Sequence, residues 1–429
     1  MLTAFARTVR TPDLRKKLLF TLFIVVVFRV GQNLPAPNVN VRAVKEASDA
    51  AKEGNELYGL LDLFSGGALL KLSVFALGVY PYITASIILQ LLTVVIPRLE
   101  ALKKEGQSGT TKITQYTRYL TVGLAILQAA SIVAMASSGQ LFRSSGDVLH
   151  DEGILPIATM VVCMVAGTAV TMWLGELVTE RGVGNGMSIL IFTQVVAVFP
   201  GQLWGIYKTK HGFVFTLVII VGLAIMAGVV FVEQAQRRIP VQYAKRMVGR
   251  RMYGGTSTYI PLKVNQAGII PVIFASSLLY LPVLATQLWP DVKWLQRVQP
   301  YLQQANPWHM AVFFVLIVFF TYFYVAITFN PTEVSDNMRK YGGFVPGVRP
   351  GRPTVEYLDH VLTRITTPGA VYLGLVALIP MVSLALLDVG DQFPFGGTAI
   401  LIVVGVGLDT VKQIESQLQQ RNYEGFLSG

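Results

Sequence analysis

Cysteine is nearly absent: Cys163 is the single one in 429 residues. No disulfide can close within the chain, and one thiol in an apolar run reads as a small buried side chain. Histidine is almost as scarce. His150, His211, His309 and His360 are scattered without metal-ligand spacing, so no cofactor or metal is expected. Charge is the third shortage, with Asp, Glu, Lys and Arg making up 14% of the chain, against about 25% in an ordinary soluble domain. Within the apolar runs the main ionisable residues are Arg29, Glu176 and Asp409, each toward the end of a run. Snorkelling or a helix-terminal role accounts for them there. An ion-coupled small-solute secondary transporter, the alternative reading, needs Asp, Glu, His or Lys near mid-membrane. These runs hardly supply them.

Enzyme signatures are equally thin. RGVGNG at 181 to 186 follows an apolar helix rather than a strand, so it reads as a tight turn and not as a phosphate loop. GVGLD at 405 to 409 displaces its acid by one residue from the intramembrane aspartyl protease pattern, and no second intramembrane Asp completes a dyad. The chain is not expected to be an enzyme.

What the sequence has in abundance is apolar length. Hydrophobic residues make up 53% and the mean hydropathy is +0.54, which marks an all-α polytopic membrane protein. Apolar windows of about 20 residues fall at 18–36, 74–96, 114–137, 154–177, 185–204, 213–232, 267–289, 309–330, 368–387 and 396–412. Ten spans put both termini on one side. Lysine and arginine concentrate on that side, which makes it cytoplasmic. Trp173, Trp204, Trp289 and Trp308 lie at or near span ends, as an interfacial belt requires. The first span passes Arg29 to the Pro35-Ala-Pro37 turn without a small-residue cleavage site, so it reads as retained.

Two cytoplasmic loops are long. Residues 233–263 hold seven bases and one acid, and the alternating Ile239, Val241 and Tyr243 predict a projecting hairpin. Its Arg237, Arg238, Lys245, Arg246, Arg250 and Arg251 suit lipid headgroups, RNA phosphates or an acidic protein. Residues 331–366 carry Pro346, Gly347, Pro350, Gly351 and Pro353 around Arg349, a turn-rich projection. Two basic projections on one face suggest a macromolecular partner.

One stretch is too long for a crossing. LFSGGALLKLSVFALGVYPYITASIILQLL, residues 63 to 92, would extend about 45 Å as a helix, against a hydrocarbon core of about 30 Å. Its glycines and Pro81 argue for two pieces.

This stretch, with KKEGQSGTTKITQYTRY, MWLGELVTERGVGNGMSI, QRRIPVQYAKR, GRRMYGG, IPLKVNQAGIIPVIFASS, FVPGVRPGRPT and the C-terminal QRNYEGF, resembles the bacterial SecY translocon family over essentially the whole chain. The resemblance implies a protein-conducting channel in the bacterial plasma membrane. Two pseudo-symmetric five-helix halves, 1–204 and 205–429, would surround an hourglass pore sealed by a short plug helix at about 60–72, with span 2 starting at Ser73. It maps a pore ring onto Val79, Ile83, Ile191, Ile273 and Ile402, and the plug onto Phe64, Ser65, Gly66, Gly67, Leu69 and Leu70. The lateral gate would comprise Thr84, Ile87, Gln90, Gln128, Asn265 and Ser277, with Gln90, Gln128 and Asn265 as a polar cluster. Arg237, Arg238, Arg250, Arg251 and Arg349 would receive the SecA motor or the ribosome and its rRNA. SecE, SecG, SecDF, YidC, unfolded preproteins and membrane lipid are the other partners implied.

Overall fold

The computed structural model describes residues 11–45, 66–137, 148–151, 153–209, 212–243, 246–248, 251–253, 257–288, 301, 306–387 and 397–427. Its helices are α1 (Pro12–Asn33), α2 (Tyr80–Val95), α3 (Pro97–Lys104), α4 (Gln107–Ser137), α5 (Ile154–Arg181), α6 (Gly186–Thr209), α7 (Gly212–Gln234), α8 (Ile270–Leu288), α9 (Pro307–Thr328), α10 (Pro331–Lys340), α11 (Arg352–Leu387) and α12 (Gly397–Leu427). Each predicted span meets one long helix, α3 and α10 being short extras. Six described helices are long and apolar enough to cross a membrane alone, or seven if α2 and α3, bent by 100°, form one broken span.

Helix ends depart from the apolar windows for local reasons. Nothing obliges a helix to stop where hydrophobicity does, so α11 begins 16 residues before its predicted span and α12 runs on to Leu427. Span 2 shows the opposite error. Its helix begins at Tyr80, because Gly78 takes φ 55° and Pro81 sits in the first turn, where its missing N–H costs nothing. It ends at Ile96, which the following Pro97 holds in extended backbone.

Between α1 and α2 the chain is irregular and buried. Residues 66–79 form successive turns, with Gly66 at φ 66°, Gly67 at 84° and Leu72 at 46°. The expected plug helix is therefore turns over 66–72, since three residues in left-handed backbone cannot continue a right-handed helix. Phe64, Ser65 and the rest of 60–65 lie outside the described residues. Ala68, Leu72, Ser73 and Ala76 have no exposed surface. Backbone bonds tie the segment to the end of α1: Ala36 N–H donates to Leu72 O at 3.0 Å and Val74 N–H to Leu34 O at 2.9 Å.

Lipid is as apolar as leucine, so close fit rather than water exclusion has to hold helices together. Glycines supply the fit. At Gly31 a side chain would overlap the Phe75 ring, and at Gly167 it would overlap the Val74 carbonyl. Phe75 in turn stacks on Phe28 with ring centroids 5.9 Å apart.

The two long loops fold together. β1 (Gln236–Tyr243) pairs antiparallel with β4 (Ser257–Lys263), Gln236 opposite Lys263, and β5 (Gly343–Phe344) adds to the free edge of β1. β2 (Arg246–Val248) and β3 (Arg251–Tyr253) make a separate small ribbon. The alternation works as predicted: Ile239 and Val241 are buried with Leu262, Met338, Val345, Leu358 and Val361, while Arg237 and Arg238 face out. Trp173, Trp204 and Trp308 are exposed on the bundle's outer surface; Trp289 and His211 lie outside the described residues.

Gly167→Ala is expected to destabilise the detergent-solubilised protein by about 1–3 kcal/mol, as overpacking does, in denaturant unfolding. Gly123→Ala, where a methyl meets nothing within 4 Å, is the control expected to leave stability unchanged.

Candidate functional site

Helices α2, α6, α8 and α12 each bring an isoleucine to one place. Ile83, Ile191, Ile273 and Ile402 all line a cavity of about 450 Å³. Ile191 and Ile269 pack against the cluster of Val195, Ala399 and Ile402, and Ile83 and Ile269 against the cluster of Ile87, Ile273 and Phe274, so the four belong to two aliphatic clusters that share Ile269 and form an apolar circuit around the cavity. Helical spacing extends it: Ile87, Met187, Ile269 and Val406, each four residues from a ring position, also line the cavity. Val79 stands apart. It precedes the first turn of α2 and is 1% exposed in a core with Ile24, Phe28 and Leu190, and the cavity is not lined by it.

The cavity widens toward polar groups, among them Gln90, Thr114, Asn185, Ser188 and the pair Arg118–Glu176. That pair is bidentate: Arg118 Nε donates to Glu176 Oε1 at 2.9 Å and Nη2 to Oε2 at 2.7 Å. The fork geometry joins α4 to α5 beside the cavity. Glu176 is thus held by a fixed partner rather than left at a helix end.

Against the apolar circuit lies the irregular segment. Gln194, on α6 one turn beyond Ile191, is 2% exposed and packs on Gly66 and Gly78. Gly66 and Gly67 are thus placed next to α6, and Leu69 and Leu70 are buried in the core that includes Leu72, Val133 and Met160.

The expected gate residues divide. Ile87 is buried with Ile273 and Phe274, which places α2 against α8. Gln90 lines the cavity, and Thr84 donates to the Tyr80 carbonyl within its own helix at 3.0 Å. Asn265 is not joined to Gln90 or Gln128: its Nδ2 donates to Glu233 Oε1 at 2.5 Å and to Gly268 O at 3.2 Å. Gln128 lies half-buried on α4 and Ser277 lies on α8. The expected three-residue polar cluster therefore does not form in this conformation, because Asn265 precedes α8 and caps the root of the sheet instead.

Of the docking candidates, Arg237, Arg238 and Arg349 are exposed on the folded loops. Arg238 stacks over Tyr259, 4.9 Å from the ring centroid, which fixes a charge that would otherwise wander. Arg251 is on β3, while Lys245 and Arg250 lie outside the described residues.

Comparison with known proteins agrees with this geometry. The model of the SecY family matches residues 73–411. The chain belongs to the SecY family. A relative named protein translocase subunit SecY, from Streptomyces scabiei, is 64% identical over all of both chains. One of the same name from Mycobacterium bovis is 59% identical, again over all of both. A solved structure described as "The structure of a protein conducting channel" superimposes with TM-score 0.64 at 17% identity, covering 93% of this chain and 91% of that one. The SecY architecture is thus shared at a level where sequence identity has largely gone.

Reading the sequence missed Gln194, Ile269, Val406, Arg118 and the glycines Gly31 and Gly167. The i±4 rule would have found Ile269 and Val406 from Ile273 and Ile402. A glutamine in the middle of an apolar span was the available signal for Gln194. In this SecY member Arg118→Met leaves the Glu176 carboxylate half-buried and unpaired; the expected loss is about 1 kcal/mol, given the exposure of both partners. Arg118→Met/Glu176→Leu should recover most of it in the same unfolding assay.

Proposed function

We propose that the chain is a passive, partner-driven channel that passes unfolded secretory polypeptides across the bacterial plasma membrane and releases hydrophobic segments sideways into lipid. The observation that carries this reading is the apolar circuit of Ile83, Ile191, Ile273 and Ile402, drawn from four helices around one cavity. A narrow aliphatic waist disfavours a continuous water column. It also offers no fixed charge that would trap one substrate sequence. The name protein translocase subunit SecY, carried by relatives at 64% and 59% identity, supports the same reading.

The division into halves 1–204 and 205–429 is supported by the packing. One large core draws on Ala36 to Met164, another on Val218 to Val404 with Leu203 at its border, and the clusters holding the waist straddle the two. The lateral exit lies between α2 and α8, whose contact rests on Ile87, Ile273 and Phe274. A segment of about 20 apolar residues is favoured in lipid once that contact parts. Residues 66–72 are the described part of the plug. Both termini are cytoplasmic, and β1 with Arg237 and Arg238, together with the turn after β5 that holds Arg349, faces SecA or the ribosome. SecE and SecG complete the complex, the motor or the ribosome supplies the work, and the chain itself catalyses no reaction.

Site-specific crosslinking from Ile191 to a stalled secretory chain is expected to give a product that depends on the chain being stalled in transit. An absence of adducts at Ile191 alongside adducts on the outer face of α1 would remove Ile191 from the path. Arg349→Glu should block secretion while the protein still inserts; normal preprotein transport by that variant would count against docking at Arg349.

A further inference from the structure

Arg29 is a charged residue in the first span with no carboxylate within ion-pair distance among the described residues. A snorkelling arginine would send its guanidinium to water. This one turns inward: Nη1 donates to Gln32 Oε1 at 2.6 Å and to the Gly66 carbonyl at 3.2 Å. Gly66, at φ +66°, lies against α6, the space where a side chain would start being 3.2 Å from Gln194 Cα. A second contact runs alongside, from Lys71 Nζ to Asn33 Oδ1 at 2.7 Å.

Gln194 acts in the opposite sense. It is clasped by Gly66 on one side and by Gly78, at φ +55°, on the other, its amide filling the space a side chain at Gly78 would need. Its Nε2 is buried with no hydrogen-bond partner among the described residues. The same is true of Ser73 Oγ within the segment. Unpaired buried donors of this kind favour any state in which they meet water or another partner.

From these two observations we infer that Arg29 and Gln194 are positioning residues that set the balance of segment 66–78: Arg29 latches it beside the waist, and the orphaned amide of Gln194 keeps the seat releasable. The inference rests on the channel reading above and adds to it the two side chains that oppose each other. A seat held by apolar packing alone would be insensitive to either side chain's polarity. One in which backbone bonds and apolar packing are joined by a charged donor on the Gly66 carbonyl and opposed by an unpaired amide one turn from Ile191 responds to both side chains.

The experiment uses the complete translocase complex containing this chain, reconstituted in lipid, with two readouts. Amide hydrogen exchange over 68–78 reports the seat, and ion conductance in the absence of any substrate reports the seal. Arg29→Ala is expected to raise exchange and resting conductance about tenfold, the worth of a hydrogen bond from a charged donor. Arg29→Lys, which keeps a charged donor, should stay within a few fold of the parent. Gln194→Leu should slow exchange below the parent and slow substrate-driven opening. Unchanged exchange in Arg29→Ala, or equal loosening in Arg29→Lys, overturns the latch; faster exchange in Gln194→Leu overturns the role of its amide. Faster exchange without added conductance upholds the seat and assigns the resting seal to the aliphatic waist; the channel reading itself stands or falls on the Ile191 crosslinks. Should Arg29→Ala fail to insert, Gly78→Ala, which keeps Arg29 but displaces the Gln194 amide from the clasp, is expected to raise exchange and conductance; no change in either overturns the seat.

Discussion

A peptide group inside a bilayer has no water to bond, so chain that is not helical at membrane depth has to be buried in protein and paired there. Residues 66–79 meet this demand, and much of the N-terminal half is shaped by it. Their own turns pair Leu72 N–H with Leu69 O, Ser73 with Ala68, Ala76 with Ser73 and Gly78 with Phe75. The remaining partners come from the end of α1. Burial then requires neighbouring helices to give way, which they do by omitting side chains at Gly31 and Gly167 and by aligning Gln194 with two glycines. An aliphatic residue at Gly31 or Gly167 would pack well in a generic membrane helix. Here it would expel the segment.

The waist obeys a complementary rule. Its isoleucines come from helices of both halves, and they belong to the small clusters rather than to the large cores on either side. Contacts confined to a few side chains part at modest cost, whereas the cores, with tens of packed residues, do not. In the proposed channel the same arrangement would seal when the halves approach and open without unfolding either. Ile269 joins three clusters at once, which makes the approach to α8 the point where the halves are stitched together.

How much of this was legible in the sequence depends on the range of the physics involved. Ten apolar runs meet ten helices, because hydrophobic length is a local property. The alternation at Ile239, Val241 and Tyr243 likewise announced the hairpin. Helix ends were misjudged where polar residues continued a helix beyond its apolar run, as in α11 and α12. Ring residues could be mapped only through family likeness, since Ile191 or Ile402 alone is an ordinary aliphatic; the circuit is a tertiary fact. Asn265 was misplaced for the same reason: its partner, Glu233, lies 32 residues away across the whole hairpin. The plug was expected as a helix through the family likeness, but Gly66, Gly67 and Leu72, all in left-handed backbone, give turns over the described residues 66–72.

That misplaced asparagine explains how the loops and the waist are joined. The hairpin's root is where α7 ends and the approach to α8 begins, and it is fixed on three sides. Glu233 of α7 accepts from Asn265, Lys263 Nζ lies 3.5 Å from Asp409 Oδ1 of α12, and Gly369 of α11 leaves room for the Val264 carbonyl. Five residues after Lys263 comes Gly268, at φ +63°, and then Ile269, Ile270 and Ile273. Asp409 stands two helical turns from Ile402. The sheet is thereby joined by named contacts to α8 and α12, the two C-terminal helices that contribute isoleucines to the waist, while α2 and α6 pack with the other half.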